Sequence, residues 1–210
     1  MGYNKEREQI EKQMKAYYEL ITQKPSAWIG HAKFALSLQF ALKPKTIVDL
    51  GVDYGFSTFI WGMLKIGKVY GIDAFEGDAH AGYHSDAYDH VTKIHQQIKK
   101  AHKNNSVEII KGYFDDVAAT WTKPIDILHI DGLHTYEAVK NDYEKWSKFV
   151  HSDGAILFHD THSFPDDVGR FFNELDEPYK FAFDHSAGLG VICKSKKSFL
   201  LVKPYLSIMQ

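Results

Sequence analysis

Apolar residues along the chain follow two alternating rhythms. Near the N-terminus, Ile10, Met14, Tyr17 and Ile21 recur at three- and four-residue spacing, which predicts a helix over residues 4–23. A second helical stretch runs from Trp28 to Leu42 and stops at Lys43-Pro44, because proline disfavours helix in the residue before it. Beyond it, short continuous apolar runs alternate with helical segments. The runs are "TIVDLG", "KVYGIDAF", "VEIIKG", "IDILHID" and "GAILFHD". The helical segments are "FSTFIWGMLK", about Tyr88 to His102, and a stripe of Tyr136, Val139, Tyr143, Trp146 and Val150. A further helix is predicted from about Asp166 to Leu175, and "YKFAFDHSAGLGVICKS" reads as two strands joined by a turn. Residues 76–90 form a polar loop rich in Gly, His and Asp.

Strands that are apolar throughout, rather than at every second position, belong to a parallel sheet covered on both faces. Alternation with helices then gives an α/β doubly wound fold. The last two strands are joined too tightly for a crossover helix, so one of them runs antiparallel. In such sheets ligands sit beyond the carboxyl ends of the strands. Asp49, Asp73, Asp131 and Asp160 all fall at such ends, and together they mark one edge of the sheet as the place for a site.

Composition narrows the classes. With 210 residues, 44% of them apolar, the chain holds one sizeable core and fits one domain. A net charge of -2 advertises no polyanion-binding surface, so nucleic acid is not an expected partner. The single Cys193 rules out an internal disulfide framework and fits a reducing, cytoplasmic compartment. No apolar run is long enough to span a membrane. The stretch "MGYNKEREQIEK" is too polar for a signal peptide, and Glu6 breaks the myristoylation pattern. Met1-Gly2 leaves open that the chain is one domain of a longer protein. Of the 12 His, a few are expected to do chemistry and most to pack or face solvent.

The loop "VDLGVDYGFST" places an acid, a glycine, three residues and a second glycine before a helix. Gly51 and Gly55 permit a tight turn and close approach of a ligand, and the helix start offers free N–H groups to a carboxylate. The dinucleotide fingerprint fails, because Asp53 and Phe56 stand where its second and third glycines belong. This weighs against a nucleotide-binding oxidoreductase, which stays as an alternative from another class. Asp73, ending the second strand, is placed to accept hydrogen bonds from ribose hydroxyls.

With "DLGVDYG" followed at the right distance by "YGIDAF", and with a terminal hairpin, the chain resembles the class I S-adenosylmethionine-dependent methyltransferases. The resemblance covers residues 28–195, leaving 1–27 as a helical extension and 196–210 as a tail. It implies a Rossmann-like, mostly parallel seven-stranded sheet ending in an antiparallel hairpin. It also implies that the loop from Asp49 to Ser57 holds the cofactor. Gly51, Val52, Asp53 and Gly55 would form the floor under the methionine part, and Ser57 would reach its carboxylate. Asp73 would take the ribose hydroxyls, with Ala74 and Phe75 beside the adenosine. Tyr113 and Phe114 would edge the adenine or simply pack in the core. Asp115 or Asp116 would hold the adenine amino group or cap a helix.

Methyl transfer to oxygen needs an oriented hydroxyl and an acceptor for its proton. A divalent cation orients neighbouring hydroxyls and lowers their pKa. Such hard cations take carboxylate oxygens, and Asp131 and Asp160 end adjacent strands of the expected sheet. An unperturbed His accepts a proton near neutral pH, and His134 lies on the loop leaving the Asp131 strand. This layout resembles the metal-dependent sugar O-methyltransferases of macrolide biosynthesis, whose Asp-x-x-His motif falls on Asp131 as ligand and His134 as general base. Their later acid pair reads His159-Asp160 here, so a histidine replaces one acid and becomes a candidate ligand. Magnesium prefers oxygen, whereas a His ligand suits manganese, zinc or iron. Catechol-type methyltransferases carry Asp-Asn where this chain has Asp160-Thr161.

S-adenosylmethionine and a divalent cation, magnesium or manganese, are therefore the expected cofactors. The expected partner is a small hydroxylated acceptor, a sugar or glycoconjugate first and a phenol or catechol second. A non-catalytic cofactor-binding module is a further alternative, and the oligomeric state is left open, a homo-oligomer included. His80, Tyr83 and His84 are candidates to touch acceptor or cofactor. Trp28 and His31 would cover the cofactor or pack in the core, and Asp142 is expected on the polar side of its helix.

Overall fold

The five apolar runs become five parallel strands: β1 (Thr46–Leu50), β2 (Lys68–Asp73), β3 (Val107–Lys111), β4 (Ile125–Ile130) and β5 (Val150–His159). The tight terminal pair is β6 (Lys180–Phe183) and β7 (Leu189–Cys193). The sheet order is β3-β2-β1-β4-β5-β7-β6, with β7 antiparallel to both neighbours. The computed structural model describes residues 2–80 and 82–208; Met1 and the last two residues of the 196–210 segment lie outside them. The fold is the expected α/β doubly wound sheet with its terminal antiparallel hairpin.

Alternate residues of one strand serve opposite faces, which is why the strands read as unbroken apolar runs. In β1, Ile47 joins a core containing Trp28, Phe34, Phe59 and Trp61, while Val48 and Leu50 join one containing Trp121, Trp146 and Phe171. The first core is covered by α1 (Gly2–Ile21), α2 (Ala32–Leu42), α3 (Phe56–Met63) and α4 (Ala87–His102). The second lies under α5 (Phe114–Thr120), α6 (Tyr136–Trp146) and α7 (Arg170–Glu174). An eighth helix, α8 (Lys196–Val202), starts at a capping box on Ser195 and buries Val202 in the first core. The α1 stripe is buried only at its far end: Tyr17 and Ile21 are in the core, while Ile10 and Met14 face solvent. The stretch from Trp28 to Leu42 is broken. A 3₁₀ turn over Ala27–His31, capped by the Ser26 hydroxyl, precedes α2. No helix among the described residues is long and apolar enough to cross a membrane.

This topology fixes where a ligand belongs. Strand β1 pairs with β2 on one side and β4 on the other, so successive connections diverge there and open a crevice. Gly51 leaves β1 with φ 96°, and a Cβ at that position would lie 1.9 Å from the Asp131 carbonyl oxygen. Backbone bonds close the same corner, from Gly51 N–H to Ile72 and from Asp131 N–H to Leu50. Gly51→Ala should therefore destabilise by about 1–2 kcal/mol from the left-handed backbone alone, with the overlap added. A urea midpoint equal to the parent's would contradict this close approach.

Helix α6 hides an acid beside the same corner. Asp142, expected on a polar face, is 6% exposed, and a Cβ on Gly132 would meet its Oδ2 at 3.2 Å. Burial, and after it the charge of Asp115, pushes its pKa up to about 7. The folded chain thus holds a proton that the unfolded chain releases near the ordinary 3.8. Stability from this group is full below that lower value, falls as pH rises towards 7, and is lost above. Asp142→Asn should flatten thermal stability across that window and raise it at pH 8, by on the order of 1 kcal/mol or more. A variant with the parent's pH profile would rule the account out.

Candidate functional site

The acid of the glycine loop is sealed from water. Asp49 is fully buried, and its Oδ2 accepts from Ser57 Oγ at 2.9 Å and Thr58 Oγ1 at 2.5 Å. Its Oδ1 lies 2.5 Å from His129 Nδ1, and Trp28 Nε1 donates to His129 Nε2 at 3.0 Å. An indole N–H can only donate, so His129 Nε2 accepts and Nδ1 carries the proton given to Asp49. The expected contact of Asp49 with a cofactor is thereby corrected: its side chain points to the face covered by α3 and never reaches the cleft. A buried carboxylate without partners would cost several kcal/mol. Here three donors bind β4 and the first turn of α3 to β1. His129 and Trp28 were not identified as parts of this network from sequence, although a histidine interrupting an apolar strand is a signal that a buried partner exists.

Above this network lies a cleft of about 880 Å³. One end is lined by Gly51, Val52, Asp53, Ser57, Asp73 and Ala74, with Phe75, Tyr113 and Phe114 beside them. Gly55 sits just behind, as the left-handed N-cap of α3, so first-turn N–H groups lack intrahelical acceptors next to the loop. Ser57 already gives its hydroxyl proton to Asp49. The Asp73 carboxylate accepts three backbone N–H groups, from Val52 at 2.8 Å, Asp53 at 3.0 Å and Phe75 at 2.6 Å. It thus ties the glycine loop to β2 while still lining the cleft.

Tyr113 is the N-cap of α5 and donates to Glu76 Oε2 at 2.7 Å. Asp115 does not serve an adenine amino group. It pairs with Lys145 and accepts from Asn141, binding α5 to α6, and neither it nor Asp116 lines the cleft. His84 lines it and contacts Asp53 Oδ1 at 2.8 Å, while Tyr83 points to solvent at 75% exposure. Trp28 lines the cleft as well as packing; His31 is buried outside it.

At the other end three side chains converge. Asp131, His134 and Asp160 each offer a donor atom within 4.8 Å of the other two. His134 Nε2 is 2.8 Å from Asp160 Oδ2 and 3.8 Å from Asp131 Oδ1, yet neither ring nitrogen has hydrogen-bond geometry to any partner. Two carboxylate oxygens and an imidazole nitrogen, close but not mutually hydrogen-bonded through His134, are a donor set that fits a divalent cation. Asp160 has φ 64°, a conformation costing on the order of 1–3 kcal/mol for a residue with a side chain, which is concentrated at functional sites. Its N–H bonds Gly188 O and its carbonyl takes Phe164 N–H.

His159 stands outside the convergent set of Asp131, His134 and Asp160. Its Nδ1 lies 3.1 Å from Asp131 Oδ1 and 2.9 Å from Asp160 Oδ2, and its Nε2 lies 3.0 Å from Ser186 O. All three neighbours are acceptors, so both nitrogens donate in this arrangement. Burial opposes that charge, but Asp131 and Asp160 outweigh it and raise the His159 pKa to about 10. Burial likewise opposes ionisation of Asp131, yet the His159 charge and the two histidines' contacts hold it well below the usual carboxylate range. His134 is not the unperturbed imidazole expected either. Despite burial, Asp131 and Asp160 raise it to about 9. The ring stacks on Phe164, with centroids 4.5 Å apart and planes 7° apart, and His80 stacks on Phe164 at 5.2 Å. The loops after β2, β4 and β5 therefore meet over the acids.

Among known proteins, the family described as a methyltransferase domain matches residues 48–161. The uncharacterised protein y4gI of Sinorhizobium fredii is 32% identical over 177 residues, 78% of this chain. The chain spans only 19% of that curated relative's length. Among solved structures, the O-methyltransferase from Bacillus cereus in complex with SAH has a TM-score of 0.62 at 15% identity, covering 87% of this chain and 91% of that one. The O-methyltransferase TomG from Streptomyces achromogenes, involved in tomaymycin synthesis and in complex with SAM, has a TM-score of 0.59 at 13% identity, covering 87% and 90%. Identities this low establish a shared fold. The family match covers more than half of the chain, from β1 through the glycine loop, Asp73 and Asp131 to just past Asp160: the chain belongs to the methyltransferase-domain family.

Proposed function

We propose that this domain is an S-adenosylmethionine-dependent O-methyltransferase acting on a small, uncharged hydroxylated acceptor, a sugar or glycoconjugate before a catechol. The observation that carries this is a single cleft with the glycine loop and Asp73 at one end and Asp131, His134 and Asp160 at the other. Its volume suits a cofactor and a small acceptor together. That the two structural neighbours are O-methyltransferases in complex with SAH and SAM supports the cofactor assignment.

S-adenosylmethionine, when bound, supplies a methyl group made electrophilic by its sulfonium. The first-turn N–H groups of α3 would hold the methionine carboxylate. Asp73 has acceptor capacity left for ribose hydroxyls, and Phe75, Tyr113 and Phe114 would flank the adenine. Asp131 and Asp160 would hold a divalent cation, whose charge would lower the pKa of the acceptor hydroxyl and of the His134 ring. His134 Nε2 is the group placed to take the hydroxyl proton, and the neighbouring Asp131 and Asp160 carboxylates would stabilise the charge it gains. The alternative role for His134, as third ligand, would use the same Nε2 lone pair and so exclude its acting as base.

The cleft's charge bears on the acceptor. Among the described residues lining it there is no Lys or Arg, whereas Asp53, Asp73, Glu76, Asp78, Asp131 and Asp160 all do. Such a lining disfavours acceptors whose phosphates or carboxylates must enter the cleft. Leu133 and Phe164 give an apolar wall for a ring. The single, buried Cys193 supports a cytoplasmic setting.

The test is formation of S-adenosylhomocysteine with methyl rhamnoside, with 4-methylcatechol and without acceptor, each with Mn²⁺, Mg²⁺ or excess chelator. We expect acceptor-dependent turnover, favouring the glycoside, that chelator suppresses. Cofactor binding without turnover on either acceptor would favour the non-catalytic module, and full turnover in chelator would remove the metal. His134→Ala should bind cofactor and Mn²⁺ as the parent does but turn over about a hundred- to ten-thousand-fold more slowly. Weakened Mn²⁺ binding in that variant would make His134 a ligand instead. Unchanged turnover would move the base elsewhere, with His80 the next residue to replace.

A further inference from the structure

His159 ends β5 with its side chain 4% exposed and its ring held at both nitrogens. The anchor on one side is the Ser186 carbonyl, 3.0 Å from Nε2. That carbonyl also lies 3.0 Å from His31 Nε2, so two buried histidines converge on it. It is presented by an unusual turn between β6 and β7, in which Ser186, Ala187 and Gly188 have φ of 52°, 71° and 92° in succession. The turn is bound to the strand end carrying the acids. Asp160 N–H donates to Gly188 O, and His162 and Ser163 N–H both donate to Ala187 O. On the other side, His159 Nδ1 faces Asp131 Oδ1 and Asp160 Oδ2 together.

We propose that His159 is a positioning residue: anchored by the Ser186 carbonyl of the β6–β7 turn, it holds the Asp131 and Asp160 carboxylates in one mutual orientation through Nδ1–H. This rests on the reading that those two acids bind a divalent cation. Where a third acid would add a ligand, the histidine fixes the two ligands that remain. Carboxylates that bind metal are commonly oriented by such outer hydrogen bonds, and losing one typically weakens metal binding about 10- to 100-fold. The arrangement also gives the terminal hairpin a task in the site, since the carbonyl that aims His159 lies in its turn.

Two measurements test this without turnover. In protein labelled with ¹⁵N-histidine and loaded with Mg²⁺, both ring nitrogens of His159 should carry a proton. A ring nitrogen without one would make His159 a ligand and overturn the proposal, and this readout needs no variant to fold. In cofactor-free protein, Mn²⁺ affinity is read by electron paramagnetic resonance for three variants whose folding is checked by melting temperature. His159→Asn keeps an N–H near the Nδ1 position and should bind Mn²⁺ close to the parent's affinity. His159→Gln, whose donor falls near Nε2, and His159→Phe, which has none, should bind about 10- to 100-fold more weakly. Equal affinity in parent and variants, or an Asn variant as weak as Gln, would overturn the proposal while leaving the cation site standing. No Mn²⁺ binding by the parent would remove the cation reading, and the proposal with it.

Discussion

A carboxylate buried without water must be satisfied by the protein itself, and Asp49 sets this condition at the centre of the sheet. Its oxygens draw Ser57 and Thr58 from α3 and His129 from β4 onto β1, and His129 in turn takes the indole N–H of Trp28. The glycine loop is the short span between Asp49 and Ser57, so its two ends are fastened by one carboxylate. Two residues beyond His129 stands Asp131, whose carbonyl packs against Gly51. The floor of the cleft and the strand bearing its acidic end are therefore hung from the same group.

The four strand-end acids differ in who satisfies them, and that difference separates support from site. Asp49 is saturated by hydroxyls and an imidazole, while Asp73 takes three backbone N–H groups that close the loop and keeps acceptor capacity towards the cleft. Asp131 and Asp160 instead face two histidines whose pKa values they raise, and together with His134 they leave donor atoms converging on one point. An acid satisfied by its own fold is architecture. A pair compensated by titratable rings at a cleft is chemistry held ready.

Much of the fold was legible because parallel strands must be apolar on both faces and because Phe183 and Leu189 stand too close for a crossover. Helix α5 was missed since "FDDVAAT" buries only Ala118 and shows no period. The last residues read as a tail because α8 is short, and only its contact with the core shows why Val202 is apolar. The strand-end acids were legible as positions but not as roles. Asp49 is followed by Leu50, still inside β1, so its side chain lies on a covered face; Asp73 is the last residue of β2, and Asp131 and Asp160 follow the last residues of β4 and β5. The roles of His159 and His134 depend on Ser186 and Asp160, each more than twenty residues further along, and no local pattern carries that pairing.

The most direct measurement is a crystal structure grown with S-adenosylhomocysteine and Mn²⁺, with anomalous data collected at the manganese edge. The account predicts adenosine between Asp73, Phe75 and Tyr113, with the sulfur facing the acids. It also predicts one anomalous peak in contact with Asp131 and Asp160, with His159 outside the coordination sphere. Cofactor density away from the glycine loop, or an anomalous peak bonded to His159 or absent from the Asp131–Asp160 pair, would contradict it.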